Sequence, residues 1–290
     1  MIIKVIGCGN AFSNINYTPS FLLEENGRTL LIDCGNQIPQ ALYHHKINLK
    51  TIDAIYVSHL HGDHVGGLEA IAFQRYDWQK KPRHFSQGQY APKLIGNVQL
   101  LKDLWEHTLR GGLESMEGFV ANLETFFNPI PIEPNVSFKW EGWVADLIQQ
   151  VHIMSGNVIT HSYGLFMKKA GHPSLYFTTD SQYDSPKQIR LYYKEADIIF
   201  QDCECIGVDT KKREYISGSG VHANYAELAG YPSANATILS PETKAKMWLT
   251  HYQDFVTQGK DSLNQPCDWN LLAKEDGFQG FLKVGQTFNV

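Results

Sequence analysis

The segment Ser58-His59-Leu60-His61-Gly62-Asp63-His64 constrains this chain more than any other stretch. Three imidazoles and one carboxylate fall within six residues, directly after the apolar run at 52–57. On an extended backbone alternate side chains face the same way, so His59 and His61 point together. Gly62 permits a sharp turn that brings Asp63 and His64 round to a second centre. Imidazole and carboxylate donors suit Zn²⁺, Mn²⁺ or Fe rather than Ca²⁺ or a thiolate site. A scatter of surface histidines is a poor account of such a density at a strand end.

Composition narrows the setting. The 290 residues are 43% hydrophobic and 19% charged, which describes a globular chain and excludes disorder and a collagen-like fibre. A net charge of −5 leaves no bulk surplus to neutralise phosphates, so general nucleic-acid binding is disfavoured. No apolar run reaches the roughly 18 residues of a membrane span. The opening residues are too short and mixed for a signal peptide. Five cysteines without regular spacing argue against a disulfide framework and for a reducing, cytoplasmic compartment. Cys203 and Cys205 read as two packed thiols rather than half a metal site.

Residues 2–7 read as an apolar strand, and 20–24 and 29–33 flank Asn26-Gly27, a type I′ hairpin signal. Helices are expected over 38–45, from 69, and over 98–110, the last capped by Asn97 and stopped by Gly111-Gly112. Residues 75–93 are polar, aromatic and irregular, 114–127 is ambiguous, and Pro129, Pro131 and Pro134 suggest a stiff connector. Strand patterns resume at 136–140, 146–153, 164–168, 174–179, 198–200 and 247–250. Ser185-Pro186 opens a helix to about residue 194, and another helix follows His222. Two blocks of strands with helices between them predict an α/β fold of two sheets packed face to face with helices outside. No linker or repeat interrupts it, so a single domain is expected over 1–290, with an insertion at about 75–135.

On these residues the chain resembles the metallo-β-lactamase superfamily over nearly its whole length. The carriers are the opening strand with Gly7, the Leu31-Ile32-Asp33-Cys34-Gly35 segment, the 58–64 motif and single ligands after later strands. The resemblance implies an αβ/βα sandwich of two mixed sheets with two divalent metal ions, zinc most readily and manganese or iron as alternatives. It implies a first metal on His59, His61 and a third histidine. His152, closing the run at 146–153, fits that place better than His161, which sits close to the next strand. Asp63, His64 and His251 would hold the second metal, and Asp180, after Leu175-Tyr176-Phe177, would bridge the two.

Val221-His222-Ala223-Asn224 is similar to the segment carrying the leaving-group histidine of ribonuclease Z and its phosphodiesterase relatives. There an acidic residue after a strand supports the ring; Asp202 fills that place, with Glu204 as second choice. His44, His45, His84, His107 and His172 have no such context and read as surface or packing residues. The resemblance thus implies a phosphodiesterase. A metal-bridged hydroxide would attack phosphorus, Asp63 would orient or deprotonate the nucleophile, and His222 would protonate the leaving oxygen.

Ribonuclease Z proper binds precursor tRNA through a protruding basic arm rich in Gly and Pro, which is not found in this sequence. The insertion instead carries Tyr76, Trp78, Phe85, Tyr90, Trp105, Phe119, Phe126 and Phe127. These read mostly as core, with a base-stacking surface or a dimer contact as the functional alternative. Ser162-Tyr163-Gly164-Leu165 and Lys246-Met247-Trp248-Leu249 look like the ribonuclease-Z-like cyclic-nucleotide phosphodiesterases, which include the anti-Pycsar proteins of phages. That likeness implies hydrolysis of small 3′,5′-cyclic mononucleotides to 5′-nucleotides, evasion of cyclic-nucleotide immune signalling, a homodimer, and no membrane partner. A tRNA 3′-processing endonuclease, a lactonase-type non-phosphate hydrolase and a non-enzymatic protein are the rival readings.

Overall fold

The computed structural model describes residues 1–76, 91–183 and 189–290. The chain forms two compact units. One comprises Met1–Gly7, Thr18–Val136 and Gly285–Val290; the other comprises Cys8–Tyr17 and Ser137–Val284. Each is built on a seven-stranded mixed sheet, and the fold is mixed α/β.

The first unit opens as an antiparallel meander. Ile2–Gly7 pairs with Ser20–Glu25, which pairs with Arg28–Ile32. Asn26 (φ 51°) and Gly27 (φ 73°) both take the left-handed backbone that a type I′ turn requires. Arg28–Ile32, Ala54–Tyr56, Lys93–Asn97 and Asn128–Ile132 then run parallel. Thr287–Asn289 adds to the other side of the first strand. Ile55, Tyr56, Leu94 and Ile95 are buried in succession, the continuous apolar pattern of strands covered on both faces.

Two expectations in this unit are corrected. Pro129 and Pro131 lie in the Asn128–Ile132 strand rather than in a connector. That strand is the edge of its sheet, where residues lacking an N–H are tolerated. Nor does Gly111-Gly112 stop the helix that Asn97 caps. Val98–Leu104 passes through a π-helical turn at Trp105–Leu109 into Arg110–Leu113. Leu113 is fully buried at its end, and a Cβ on Gly112 would lie 2.5 Å from the Glu69 carboxylate. The glycine admits Glu69 rather than breaking the helix.

Of the aromatics around the insertion, Tyr76, Phe126 and Phe127 are buried core, and Trp105 and Phe119 are half-buried. Trp78, Phe85, Tyr90 and His84 lie outside the described residues. His44, His107 and His172 are exposed and His45 is half-buried.

The second unit follows the same plan. Phe138–Trp140, Trp143–Ser155, Val158–Lys168 and Leu175–Phe177 are antiparallel neighbours. Ile198–Asp202, Met247–Thr250 and Gly280–Phe281 continue the sheet in parallel. Phe177 and Phe200 stack across adjacent strands with ring centroids 4.6 Å apart. The central hairpin is longer at both ends than the alternation at 146–153 and 164–168 suggests. Ser185-Pro186 lies outside the described residues, and Ile189–Glu195 is helical. The helix after His222 is Tyr225–Ala229, opened by an Asn224–Glu227 capping box. Cys203 and Cys205 are buried free thiols, and burial pushes both pKa values up. Among the described residues no helix is long and apolar enough to cross a membrane.

Candidate active site

In the first unit Arg28–Ile32 and Ala54–Tyr56 lie side by side, so the segments leaving their ends meet. The chain continues extended from Ala54–Tyr56 to His61, then closes into one helical turn, Gly62–Val65. His59, Asp63 and His64 are buried. The His59 ring centroid is 4.7 Å from that of His61 and 4.1 Å from that of His64.

Asp33 organises this cluster. It takes a left-handed backbone (φ 57°), and its Oδ1 accepts from the Ser58 N–H at 2.8 Å. Its Oδ2 accepts from Ser58 Oγ at 2.6 Å and His64 Nδ1 at 2.7 Å. Ser58 has spent its one proton on Asp33, so it accepts from His59 Nδ1 at 3.0 Å. Both rings are thereby held with Nδ1 protonated, which leaves Nε2 as the nitrogen that could ligate a metal. Asp33 was not a candidate from the sequence; the available signal was Asp-Cys-Gly closing an apolar strand.

The turn at Gly62 does not need glycine, since a Cβ there meets nothing within 4 Å. The glycine this cluster requires is Gly35, whose Cβ would lie 1.9 Å from the Asp63 carbonyl oxygen and 2.4 Å from Thr18 Oγ1. Gly35→Ala is expected to cost about 3 kcal/mol. For a chain of this size that lowers Tm by roughly 5 °C. Gly62→Ala should stay within about 1 kcal/mol. Thermal melts of the two variants check this, and a Gly35→Ala protein melting with the parent would contradict the packing.

In the second unit His152 lies inside the Trp143–Ser155 strand, not at its end. Val151 pairs with His161 and Ile153 with Thr160, so His152 is the extra residue of a β-bulge, a device that re-aims a side chain. Its Nδ1 donates to the Val221 carbonyl at 2.9 Å, and its Nε2 stands 3.6 Å from Asp180 Oδ2. His161 instead directs Nδ1 to the Gln150 carbonyl at 3.2 Å within the hairpin.

Leu175–Phe177, Ile198–Asp202 and Met247–Thr250 are parallel neighbours, so their carboxyl ends deliver Asp180, Asp202 and His251 to one edge of the sheet. Thr179 (φ 53°) and His251 (φ 64°) are both left-handed. For a β-branched threonine that conformation costs about 1–3 kcal/mol, strain that the surroundings must over-determine. The Asp202 N–H donates to Thr178 Oγ1 at 2.9 Å, and Ser162 Oγ donates to the Asp180 carbonyl. Asp180 Oδ2 is 3.4 Å from His251 Nε2.

Asp202 is the partner of His222. Its Oδ2 accepts from His222 Nδ1 and from the Ser181 N–H, both at 2.9 Å, while its Oδ1 stands 3.4 Å from His251 Nδ1. The Glu204 carboxylate takes another task, accepting from the Ser219 N–H at 2.8 Å and Asn224 Nδ2 at 3.3 Å. One donor atom each from Asp180, Asp202, His222 and His251 fall within 4.8 Å of one another.

These spacings suit shared cations. Two ligands bonded to one tetrahedral ion at about 2.1 Å lie roughly 3.4 Å apart. His152 and His251 stand 3.6 and 3.4 Å from Asp180 Oδ2, and His64 Nε2 stands 3.4 Å from Asp63 Oδ2. Those distances are long for hydrogen bonds and right for ligands of a common ion. The all-nitrogen-and-oxygen donor sets fit divalent metals of the zinc, manganese and iron kind.

Burial alone would push the His222 imidazole down, but the Asp202 charge and hydrogen bond, with Asp180 behind them, outweigh it and raise its pKa to about 9. The Asp202 pairing thus favours the imidazolium form of the ring. Burial pulls His152 below the usual histidine range, which favours the neutral ring a metal needs.

Residues 1–288 match the family described as Anti-Pycsar protein Apyc1. The chain belongs to the anti-Pycsar Apyc1 family. This Apyc1-family chain is 34% identical over 261 residues to the Anti-Pycsar protein Apyc1 of Paenibacillus harenae, covering 89% of this chain and 92% of that protein. It shares its fold with the metallo-beta-lactamase fold protein YhfI of Bacillus subtilis (TM-score 0.65, 18% identity, 99% and 98% of the two chains). Human tRNase Z, short form, is also similar (TM-score 0.62, 16% identity, 100% and 99% covered). The metallo-β-lactamase fold expected of an Apyc1-family chain from its motifs is thus the fold found.

Proposed function

We propose that this Apyc1-family chain is a metal-dependent phosphodiesterase that opens 3′,5′-cyclic mononucleotides to 5′-nucleotides. The observation that carries the reading is the His222–Asp202 pair at 2.9 Å beside Asp180 and His251. A pure metal-binding protein has no need of a carboxylate-backed imidazolium next to its ligands. Family membership supports a cyclic-nucleotide substrate, since the relatives are anti-Pycsar proteins.

In this reading His59, His61 and His152 hold one divalent ion, and Asp63, His64 and His251 hold a second, with Asp180 shared. Residues 1–290 then work as one hydrolase domain with an insertion at about 75–135. Zinc is the favoured ion, and manganese or iron would suit the same donors. When bound, such ions supply charge that offsets the phosphate oxygens and a water of lowered pKa. Asp63 would orient the attacking water and accept its proton. His222, with Nδ1 held by Asp202, presents the Nε2 proton to the departing 3′ oxygen, a task worth about 10²–10⁴-fold. A homodimer in the cytoplasm of a bacterium or of a phage-infected cell, removing a cyclic-nucleotide immune signal, completes the proposal.

The test is a panel of cyclic mononucleotides, cyclic dinucleotides and precursor tRNA incubated with metal-loaded protein, with products resolved by chromatography and gel. Cyclic mononucleotides are expected to yield 5′-nucleotides. Cleavage of the tRNA alone would overturn the reading, as would ester or lactone hydrolysis without any phosphodiester cleavage.

A further inference from the structure

Gln182 lies two residues beyond Asp180 and faces the bulge that carries His152. Its backbone N–H donates to the Val151 carbonyl at 3.0 Å. Its side-chain nitrogen donates to the His152 carbonyl at 3.1 Å and the Gly220 carbonyl at 2.9 Å. A primary amide has two hydrogens on that nitrogen, so both carbonyls can be satisfied at once. The next carbonyl along, Val221, accepts from His152 Nδ1 at 2.9 Å, and His222 follows it directly. The bulge and the two residues before His222 are therefore fastened by the Gln182 amide and the His152 ring.

The strand register shifts at His152, and Ser217-Gly218-Ser219-Gly220 is a loop with high conformational entropy to lose. We propose that Gln182 is a positioning residue: its two donated hydrogen bonds hold His222 in register with His152. This rests on the proposed function, because it takes His222 as the leaving-group proton donor.

Two variants separate the hydrogen bonds from the packing. Gln182→Met keeps the length of the side chain and removes both donors. Gln182→Glu sets a carboxylate against two carbonyls. Two substrates separate proton donation from general damage. A 3′,5′-cyclic mononucleotide expels an alkoxide that needs a proton, whereas bis-p-nitrophenyl phosphate expels a phenolate that does not.

In metal-loaded protein, Gln182→Met should lower kcat on the cyclic nucleotide about tenfold with KM and bound metal unchanged. Turnover of bis-p-nitrophenyl phosphate should change by less than about threefold. Gln182→Glu should show the same selectivity with a larger loss. Amide hydrogen exchange over residues 217–222 should accelerate in both variants. Equal losses on the two substrates, or unchanged exchange over 217–222, would overturn the proposal. His222→Ala is the control: if it shows no such substrate selectivity, the proposed function fails, while the exchange measurement still decides whether Gln182 holds the loop.

Discussion

Asp180→Asn should lower turnover of a 3′,5′-cyclic mononucleotide by at least about 10⁴-fold and reduce the metal retained after dialysis. The substitution is nearly isosteric and removes only the negative charge. Asp180 Oδ2 stands within 3.6 Å of His152 Nε2 and 3.4 Å of His251 Nε2, so one oxygen lies beside a proposed ligand of each ion. A neutral amide in that place weakens every ion the carboxylate would share. The backbone around it is held independently: Ser162 Oγ donates to the Asp180 carbonyl, and the Ser181 N–H donates to Asp202. The metal-free variant should therefore melt close to the metal-free parent. Metal analysis alongside a turnover assay checks the prediction, and an asparagine variant with full metal and near-parental turnover would contradict it.

The second large effect is expected at His222. His222→Ala should reduce kcat on the cyclic nucleotide by about 10²–10⁴-fold, the range for loss of a positioned general acid. Bound metal should be unchanged, because His222 is proposed to hold a proton and not an ion. Bis-p-nitrophenyl phosphate should suffer far less, since its leaving group departs as a stable anion. Asp202 keeps its Ser181 hydrogen bond in this variant, so the carboxylate is not stranded. A uniform loss on both substrates with loss of metal would instead make His222 a ligand.

How much of this was legible in the sequence differs from residue to residue. The 58–64 motif is contiguous, so its density alone pointed to metal chemistry and, with the Asp33 segment, to the superfamily fold. The Asn26-Gly27 hairpin was legible because a type I′ turn has a strong local residue code. His152 was singled out, but at a strand end. A bulge adds one residue to a strand without any residue code, and only the pairing of Val151 with His161 and Ile153 with Thr160 exposes it.

Gly112 and the prolines at 129 and 131 were misread for a related reason. Whether a glycine ends a helix or admits a neighbour depends on Glu69, more than forty residues away in the chain. Whether a proline is a connector or part of an edge strand depends on which strand it pairs with. Asp33 escaped because its role is to orient other side chains, which no spacing in one sequence reveals. The choice between Asp202 and Glu204 rested on geometry too. Asp202 ends the Ile198–Asp202 strand and Glu204 lies two residues beyond it, and only the positions of His222, Ser219 and Asn224 separate their tasks.

The central claim is that this chain opens a cyclic phosphodiester with metal bound at its histidine and aspartate clusters. Phosphorus NMR of a 3′,5′-cyclic mononucleotide incubated with zinc-loaded protein, and with the same protein after chelation, tests it most directly. The account predicts conversion to the 5′-monophosphate by the loaded protein and none by the chelated one, with activity restored on adding the ion back. An unchanged cyclic nucleotide with loaded protein, or equal conversion after chelation, would contradict it.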